Sequence, residues 1–517
     1  MLAVKAIVLP NTYRDSVFLM KLSVQARDES GASQISAMMG TARNKDLFER
    51  SGLSTPEVVD AKADDLVIVA QAEEALLDKA LAAVKLLLDA APKKQATAGE
   101  VAPQTLDQAL AADKDLTTAL ISVAGDYARY EAAKAVAAGL DVMLYSDNIS
   151  LQDELALKRL AAKKGRLVMG PDCGTAIIQG VPFAFANAVR RGPVGLIAAS
   201  GTGLQEVTCL LDRLGVGISQ AYGTGGRDLK DDIGGLTAFG AFDRLLADPD
   251  TRIIGILGKP PGTKTRKALL EKAQKAGKPT AVHFLGATDY AAEDAAGIRH
   301  AVDLTAFSHL LAEMADPGAP CAKVPGPLPA VPAGRPGFLR GLFSGGTLCQ
   351  EAAELAMTIL RNDLHSNLHI AGFGKLDASM PSRGHAFWDF GEDEFTIGRP
   401  HPMMAPDLRM QRIVAELLDP EVSVVLADMV IGFGAAEGQA ELLVKALKDA
   451  ESKSGGKSRE KTVVVAVCGT EGDLPSRSAE CAVLEKAGIK VLGSNAGAAV
   501  WAASRAAGLT IGKEQRQ

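Results

Sequence analysis

Short apolar runs alternate with segments of helical periodicity along most of the chain. Near the start, the apolar runs predict strands at Lys5–Leu9, Ser33–Met39 and Leu66–Gln71. The periodic segments predict helices at Asp15–Ala26, Lys45–Ser51 and Glu73–Leu88. Residues 1–92 are therefore expected to form a small α/β domain, followed by a linker over the Ala-, Pro- and Lys-rich residues 91–104.

The alternation becomes more regular between residues 105 and 190. Thr117–Ala124, Asp141–Tyr145 and Arg166–Met169 are mostly apolar and are predicted strands, with helical segments between them. Strands that are apolar along their whole length are typical of a parallel sheet that helices cover on both faces. Residues 105–190 are therefore expected to form a second α/β domain.

The rest of the chain contains an internal repeat. Gly201-Thr202-x-x-Gln205-Glu206 recurs as Gly346-Thr347-x-x-Gln350-Glu351, each time after an apolar strand and at the start of a helix. Later predicted strands correspond in sequence as well. Residues 252–262 correspond to 423–434, and residues 278–289 correspond to 461–473.

We interpret this repeat as a duplicated doubly wound domain. The two copies would occupy residues 191–315 and 337–517, joined by a proline-rich linker at 316–336. The alternative is a chance similarity between unrelated α/β segments.

Both repeated turns have the features of an anion site. A strand ends, small residues let the backbone turn, and a helix begins with unpaired N–H groups and a partial positive charge. Such a helix start binds phosphate or carboxylate through its backbone. We assign this role to the turn residues Ser200, Gly201, Thr202, Gly203, Ser344, Gly345, Gly346 and Thr347. The alternative is that the hydroxyl groups only cap their helices.

Two glutamates and one histidine are the candidates for proton transfer. Glu206 and Glu351 occupy matching places one turn inside the two helices, where a carboxylate could orient a donor or accept a proton. For each glutamate the alternative is a solvated surface position. His401 and Arg399 lie in a proline-stiffened turn, so they are a candidate acid–base and a candidate anion clamp. An exposed turn without function is the alternative.

Further candidates follow two other strands. Gly225, Gly226 and Arg227 are expected to form a wall of the anion site, with Arg227 supplying charge, although the segment lacks the Lys-Ser/Thr of a P-loop. Lys259 ends a strand, and ligands gather beyond strand ends in open α/β sheets. The alternatives are a plain strand–helix connection and a surface lysine. Cys173 is a possible nucleophile, for which packing is the alternative.

The composition limits the classes of molecule that the protein is expected to bind. There are 56 Lys and Arg against 62 Asp and Glu, with 4% aromatic residues and no basic block, which argues against nucleic-acid binding. The six cysteines are scattered without a CxxC pair, so no metal site or disulfide framework is predicted. The first residues do not have the pattern of a signal peptide, and no apolar run suggests a membrane span. A cytoplasmic protein is expected.

Two segments, GPDCGTAI at 170–177 and GLIAASGTGLQEV at 195–207, resemble the alpha subunit of succinyl-CoA synthetase. The last domain resembles the carboxyl-terminal domain of the beta subunit, from WDFGEDEFTIGRP through LLDPEVSVVLADMVIGFGA. The resemblance implies a Rossmann-like CoA-binding-type domain followed by two flavodoxin-like domains. It also implies that the Ser200 turn holds the phosphate of a phosphohistidine, which Glu206 would support.

The departures from succinyl-CoA synthetase are informative. The phosphorylated histidine of that family lies in a GHAGA-type segment, whereas this chain has LGATDYAAEDAAGIRHAVDL, in which His300 lacks flanking small residues. The expected Gly-rich CoA loop and an ATP-grasp segment are also missing. ATP use and thioester formation are therefore poorly supported within this chain.

Motifs spread over nearly the whole length, including RDSVFLM, MMGTARNK, GTGGRDL and TIGRPHPM, resemble the FdrA proteins of the acyl-CoA synthetase superfamily. This resemblance implies a subunit of an oxamate carbamoyltransferase complex, which converts oxalurate and phosphate to oxamate and carbamoyl phosphate without CoA or ATP. One alternative is an acyl-CoA ligase subunit that uses CoA and ATP/Mg²⁺, with His300 as phosphocarrier. The other is a non-catalytic scaffold that binds metabolites.

Overall fold

A computed structural model describes residues 2–12, 14, 16–90, 103–123, 125–318, 328–396 and 400–510. The chain divides into two compact units. The amino-terminal unit comprises Met1–Leu116 and Asp393–His401, and the main unit comprises Thr117–Glu392 and Pro402–Gln517. None of the helices in the described part of the chain has the length and apolarity that crossing a bilayer requires.

The elements up to residue 116 are β1 (Leu2–Leu9), α1 (Ser16–Ser30), β2 (Gln34–Met39), α2 (Ala42–Arg50), α3 (Pro56–Asp60), β3 (Leu66–Glu73), α4 (Glu74–Ala90) and α5 (Leu106–Ala112). The three strands form an antiparallel sheet in the order β1-β3-β2. Successive side chains of β3 point to opposite faces. Leu66 and Ile68 pack with α1 and α4, and Val67 and Val69 pack with Phe48 of α2. The predicted strands and helices of this region are confirmed.

The elements from residue 117 to 315 are β4 (Thr118–Ile121), α6 (Gly125–Ala137), β5 (Asp141–Leu144), α7 (Leu151–Lys163), β6 (Val168–Met169), β7 (Thr175–Ile178), β8 (Val181–Ala184), β9 (Arg191–Ala198), α8 (Gly201–Arg213), β10 (Ile218–Gly223), α9 (Leu236–Ala247), β11 (Ile253–Gly258), α10 (Thr263–Lys275), β12 (Thr280–Phe284), α11 (Ala291–Ala296), β13 (Arg299–His300) and α12 (Leu304–Ala315). Strands β4, β5 and β6 form a parallel sheet, as their apolar sequences predict.

The next sheet has seven strands in the order β13-β12-β11-β9-β10-β7-β8. Strands β9 to β13 are parallel, and β7 pairs antiparallel with β10. The β7–β8 hairpin comes from the segment expected to belong to the preceding domain, yet its backbone extends this sheet.

The elements that follow are β14 (Phe338–Phe343), α13 (Gly346–Leu360), β15 (Leu364–Ser366), β16 (Gly374–Lys375), β17 (His385–Asp389), α14 (Asp393–Thr396), α15 (Asp407–Leu418), β18 (Val422–Val430), α16 (Gln439–Lys453), a 3₁₀ turn (Lys457–Glu460), β19 (Thr462–Cys468), α17 (Arg477–Lys486), β20 (Lys490–Leu492) and α18 (Asn495–Ala506). Their parallel sheet has the order β16-β15-β17-β14-β18-β19-β20.

The two seven-stranded sheets share one strand order around their centres. β10, β9, β11, β12 and β13 correspond to β17, β14, β18, β19 and β20. Strand β9 leads into α8 and β14 leads into α13, so the two Gly-Thr turns occupy equivalent positions. The α/β fold and its parallel sheets are confirmed. The predicted linkers are described only in part, because residues 91–102 and 319–327 lie outside the described residues.

Candidate functional site

The two repeated turns lie at the carboxyl ends of interior strands. Strand β9 lies between β10 and β11, and β14 lies between β17 and β18. Each strand ends shortly before its helix, α8 at Gly201 and α13 at Gly346. In open parallel sheets this edge is where ligands bind, since the helix starts converge there.

The structure brings these turns together across the two sheets. Ser200 Oγ lies 2.6 Å from Thr347 Oγ1, a hydrogen bond between residues far apart in sequence. Glycine permits the approach, because a Cβ atom on Gly345 would overlap the Thr202 side chain. A Cβ atom on Gly203 would lie 3.0 Å from Thr347 Cγ2.

The two helix starts differ in how their N–H groups are used. Ser200 caps α8, because its Oγ accepts a hydrogen bond from the Gly203 N–H at 3.0 Å. The N-terminal cap of α13 is Gly345, which has no side chain to do this. The capping interpretation therefore holds for Ser200 and does not apply to the second turn.

Several first-turn donors remain without a protein acceptor. Within the described ranges, no hydrogen bond is made by the N–H groups of Gly201, Thr202, Gly346 and Thr347. Gly201, Gly346 and Thr347 are partly exposed, so solvent reaches the turns. Unpaired N–H groups at two converging helix starts favour an anion.

Glu206 and Glu351 lie beneath the turns and cap helices of the opposite repeat. Glu206 Oε1 accepts a hydrogen bond from the Asn495 N–H at 3.0 Å, at the start of α18. Glu351 Oε1 accepts one from the Leu304 N–H at 2.7 Å, at the start of α12. The Asn495 side-chain amide also donates to Glu351 Oε2 at 2.7 Å. The two carboxyl groups therefore connect the repeats reciprocally.

Neither glutamate is the solvated surface residue of the alternative interpretation. Glu206 and Glu351 are only 3% and 2% exposed. Burial raises the pKa of Glu206. Burial, together with the charge of Asp303, raises the pKa of Glu351 to about 8. The N–H groups that donate hydrogen bonds to Glu351 act in the opposite direction. Their predicted part in proton transfer stays a prediction.

Asp389 is a residue of the site that the sequence did not identify. It ends β17, and its Oδ2 would lie 2.8 Å from a Cβ atom on Gly346, beside the first turn of α13. Its Oδ1 accepts a hydrogen bond from the Gly391 N–H at 2.8 Å. Burial raises its pKa to about 8, with the Gly391 N–H opposing this. A carboxylate at the end of an apolar strand was the available signal.

Lys259 acts electrostatically on this carboxyl group. It is exposed just after β11, and its charge acts to lower the pKa of Asp389 and of Glu354. Ser344, by contrast, is fully buried, and its N–H and Oγ bind Asp428 rather than the site. Lys259 therefore remains a candidate ligand for an anion, while Ser344 supports the turn from below.

The Gly225–Arg227 segment is turned toward another part of the main unit. Arg227 Nε donates to Glu154 Oε2 at 2.8 Å, and a second guanidinium nitrogen donates to the Ile149 carbonyl. A Cβ atom on Gly225 would lie 2.6 Å from the Pro171 carbonyl oxygen. A Cβ atom on Gly226 would have no other atom within 4 Å. The expectation that Arg227 supplies charge to the Ser200 turn is corrected, because the buried Glu154 carboxylate takes its guanidinium group.

His300 lies apart from the turns. His300 is on the edge strand β13, three strands from β9 or about 14 Å at ordinary strand spacing. It stacks on Tyr290 with ring centres 4.1 Å apart, and its Nε2 lies 3.0 Å from Asp294 Oδ1. His401 groups with the amino-terminal unit, and Arg399 lies outside the described residues, so their roles stay predictions.

Cys173 is a packing residue. It is 3% exposed, and burial raises the pKa of its thiol to about 12. A thiol with so high a pKa is not a thiolate nucleophile at neutral pH.

Comparison with known proteins defines the class. Residues 342–505 match the family described as CoA-ligase. Over 175 residues the chain is 28% identical to the alpha subunit of ADP-forming succinate–CoA ligase from Aquifex aeolicus, covering 33% of this chain and 56% of that subunit. A sulfoacetate–CoA ligase subunit, SauD from Bilophila wadsworthia, is 25% identical over 34% of this chain and 60% of its own length. The protein is a member of the acyl-CoA synthetase superfamily with a succinyl-CoA ligase-like fold.

Within that superfamily the chain belongs to the family of YahF from Escherichia coli K12, a protein described as uncharacterized. The two are 38% identical over 501 residues, which cover 96% of this chain and 97% of YahF. Among solved structures, the dinucleotide-forming acetyl-coenzyme A synthetase 1 of Ca. Korarchaeum cryptofilum aligns over 76% of this chain and 83% of its own, with 16% identity and a TM-score of 0.30.

Residues 1–104 match a family described as the AllF heavy metal-associated domain. The sequence of this segment contains neither cysteine nor histidine, the usual ligands for soft and borderline metals. No cluster of three or more metal-ligating side chains occurs among the residues that the structure describes. The residues present therefore do not fit a heavy-metal site, and we assign no metal to this domain.

The close approach of the turns should be sensitive to a single methyl group. Gly345→Ala is expected to destabilise the protein by about 1–3 kcal/mol, because the new Cβ atom overlaps Thr202. Gly226→Ala is the control, since its Cβ atom would meet open space. Thermal unfolding of the full chain measures both, and equal midpoints for the two variants would contradict the geometry.

The Asn495 side chain donates hydrogen bonds to both Glu351 and the Leu348 carbonyl, and we call this contact the Asn495 bridge. Its contribution to the stability of the protein should depend on pH. Asn495→Ala removes donors to Glu351 and the Leu348 carbonyl, which is expected to destabilise the protein by about 1–3 kcal/mol. Because the lost N–H lowers the pKa of Glu351, its removal raises that pKa further. A carboxyl group whose pKa is higher in the folded chain destabilises that chain as pH rises from its unfolded pKa to its folded one. The loss should therefore be larger at pH 8 than at pH 5.

Ser476→Ala supplies the control for this experiment, because it removes a neutral helix cap on α17. Its effect on the unfolding midpoint should be the same at both pH values. A pH-independent effect of Asn495→Ala would show that the bridge does not act through Glu351.

Proposed function

We propose that this protein binds inorganic phosphate between the starts of α8 and α13 and transfers a carbamoyl group to it. The reaction would convert oxalurate and phosphate to oxamate and carbamoyl phosphate, in an FdrA-type subunit of a carbamoyltransferase complex. Phosphate would be a substrate, and neither CoA nor ATP would be required. Such a reaction belongs to the breakdown of allantoin and purines.

The contact between Ser200 Oγ and Thr347 Oγ1 carries this proposal. It joins two helix starts whose N–H groups at Gly201, Thr202 and Gly346 have no acceptor among the described residues. A tetrahedral phosphate presents several oxygens at once, so donors from two directions can bind it simultaneously. The same donors would stabilise the charge that develops as the acyl carbon is attacked.

Two further observations favour carbamoyl transfer. His300 lies on the edge strand β13 and contacts Tyr290 and Asp294 of the α11 segment, away from the turns, so a free phosphate substrate suits the site better than a phosphohistidine. The AllF name of the family matched by residues 1–104 points toward allantoin breakdown.

Removing one backbone donor tests the anion site. Gly201→Pro deletes the Gly201 N–H at the first helical position, where proline is well accommodated, and the extended Ser200 backbone tolerates a following proline. We expect phosphate to bind about tenfold more weakly or worse, since a hydrogen bond to a charged group contributes about 1.5–3 kcal/mol. Titration calorimetry with inorganic phosphate measures this, and carbamoyl phosphate formation from oxalurate measures the rate.

Gly201→Ala is the matched control, because it keeps the N–H and its Cβ atom would lie 3.6 Å from Thr175 Oγ1, an ordinary contact. Wild-type affinity and rate in Gly201→Pro would refute the anion site. Phosphate binding without carbamoyl transfer in the purified complex would favour the non-catalytic scaffold instead.

The acyl-CoA ligase is the second candidate, favoured by the CoA-ligase match of residues 342–505 and by the succinate–CoA ligase relatives. It requires a phosphorylated intermediate. Incubation of the full chain and its partner subunits with γ-³²P-labelled ATP and Mg²⁺ should leave no base-stable label if the carbamoyltransferase proposal is correct. Base-stable label that is lost in His300→Ala would establish the ligase in its place.

A further inference from the structure

Asp389 occupies an unusual position for a buried carboxyl group. It is 3% exposed, yet its Oδ2 lies beside Gly346 at the first turn of α13, where the proposed phosphate would bind. Hydrogen bonds fix the residue on its other sides. The Gly391 N–H binds Oδ1, and the Asn367 side chain binds the Asp389 backbone at 2.8 and 2.9 Å.

Oδ2 is the part of this side chain that stays available. In the described part of the chain no donor binds it, whereas both oxygens of the neighbouring Asp428 are bound by Ser344. Asp428 is also paired with Arg409 at 2.6 Å. Of these two buried carboxyl groups, only Asp389 can reach a ligand at the turn.

The proposed reaction needs an acid at this place. When phosphate displaces a carbamoyl group from an amide nitrogen, that nitrogen would leave as a strongly basic anion unless it is protonated as the bond breaks. The unpaired N–H groups of the turns stabilise negative charge but cannot release a proton. A carboxylic acid beside the phosphate can.

We propose that Asp389 is the general acid that protonates the leaving amide nitrogen of an N-carbamoylated amide carboxylate. This inference rests on the proposed function. A phosphate oxygen forms a bond to the carbamoyl carbon, and the bond from that carbon to the amide nitrogen breaks. The nitrogen receives the proton of Asp389, and the hydrogen phosphate returns its own proton to the carboxylate. Atoms and charge balance without any further reactant.

The charged groups around Asp389 support this protonation state. Burial raises its pKa to about 8, and the carboxylates of Glu392 and Asp428 act in the same direction. The Gly391 N–H and the Lys259 ammonium act in the opposite direction. The acid form therefore predominates at neutral pH, and activity should fall as the pH rises through about 8.

Asp389→Asn tests the inference in the complex purified with the full-length chain. The amide retains an acceptor for the Gly391 N–H but cannot give up a proton. With oxalurate and inorganic phosphate we expect kcat to fall by about 10²–10⁴-fold, with the affinity for phosphate changed less than threefold. Asp389→Glu should recover part of the rate.

Glu392→Gln provides a readout that a structural role would not change. The loss of this negative charge should lower the pKa of Asp389, so the alkaline limb of the kcat profile should move to lower pH. Asp389→Asn should have no alkaline limb in that range. A wild-type rate in Asp389→Asn, or an unmoved limb in Glu392→Gln, would overturn the inference while leaving the phosphate site standing. If the wild-type complex neither binds phosphate nor forms carbamoyl phosphate, the proposed function itself fails.

Discussion

The contact between the starts of α8 and α13 is the constraint on which the rest of the site depends. Each helix start carries a partial positive charge of about half an elementary charge, so two of them side by side repel unless negative groups compensate. Glu206 and Glu351 lie in the second turn of these same helices, and Asp389 lies beside the first turn of α13. Burying these carboxyl groups opposes their ionisation and raises the pKa of each. An anion at the turns would therefore supply the compensating negative charge.

Duplication explains how this arrangement arises. Because the two sheets share one strand order, the same strand–turn–helix unit occurs twice and can face its copy. The glutamates show the reciprocity most clearly, since Glu206 caps the last helix of the second repeat and Glu351 caps the last helix of the first. Asn495 donates hydrogen bonds to both glutamates, so the residues that join the two repeats also form the floor of the site.

The superfamily relationship clarifies what the chain has kept. The CoA-ligase domain and the similarity to succinate–CoA ligase subunits account for the sheets and the helix starts. Glu206, to which the resemblance assigns the support of a phosphohistidine, is buried beneath the first turn. Fold alone does not specify the reaction, and the side chains around the turns carry that information.

The local sequence pattern predicted many of the strands and helices and both helix starts of the repeat, but it did not predict the β7–β8 hairpin. Apolar runs and helical periodicity identified the strands, and the recurring Gly-Thr turns identified both helix starts, because secondary structure follows from neighbouring residues. The partners across the fold could not be read in this way. Ser200 and Thr347 are 147 residues apart, Arg227 turns to a buried glutamate, and Asp389 reaches Gly346 from another strand. These choices depend on sheet order and on which buried charges need a partner, and only the tertiary structure decides them.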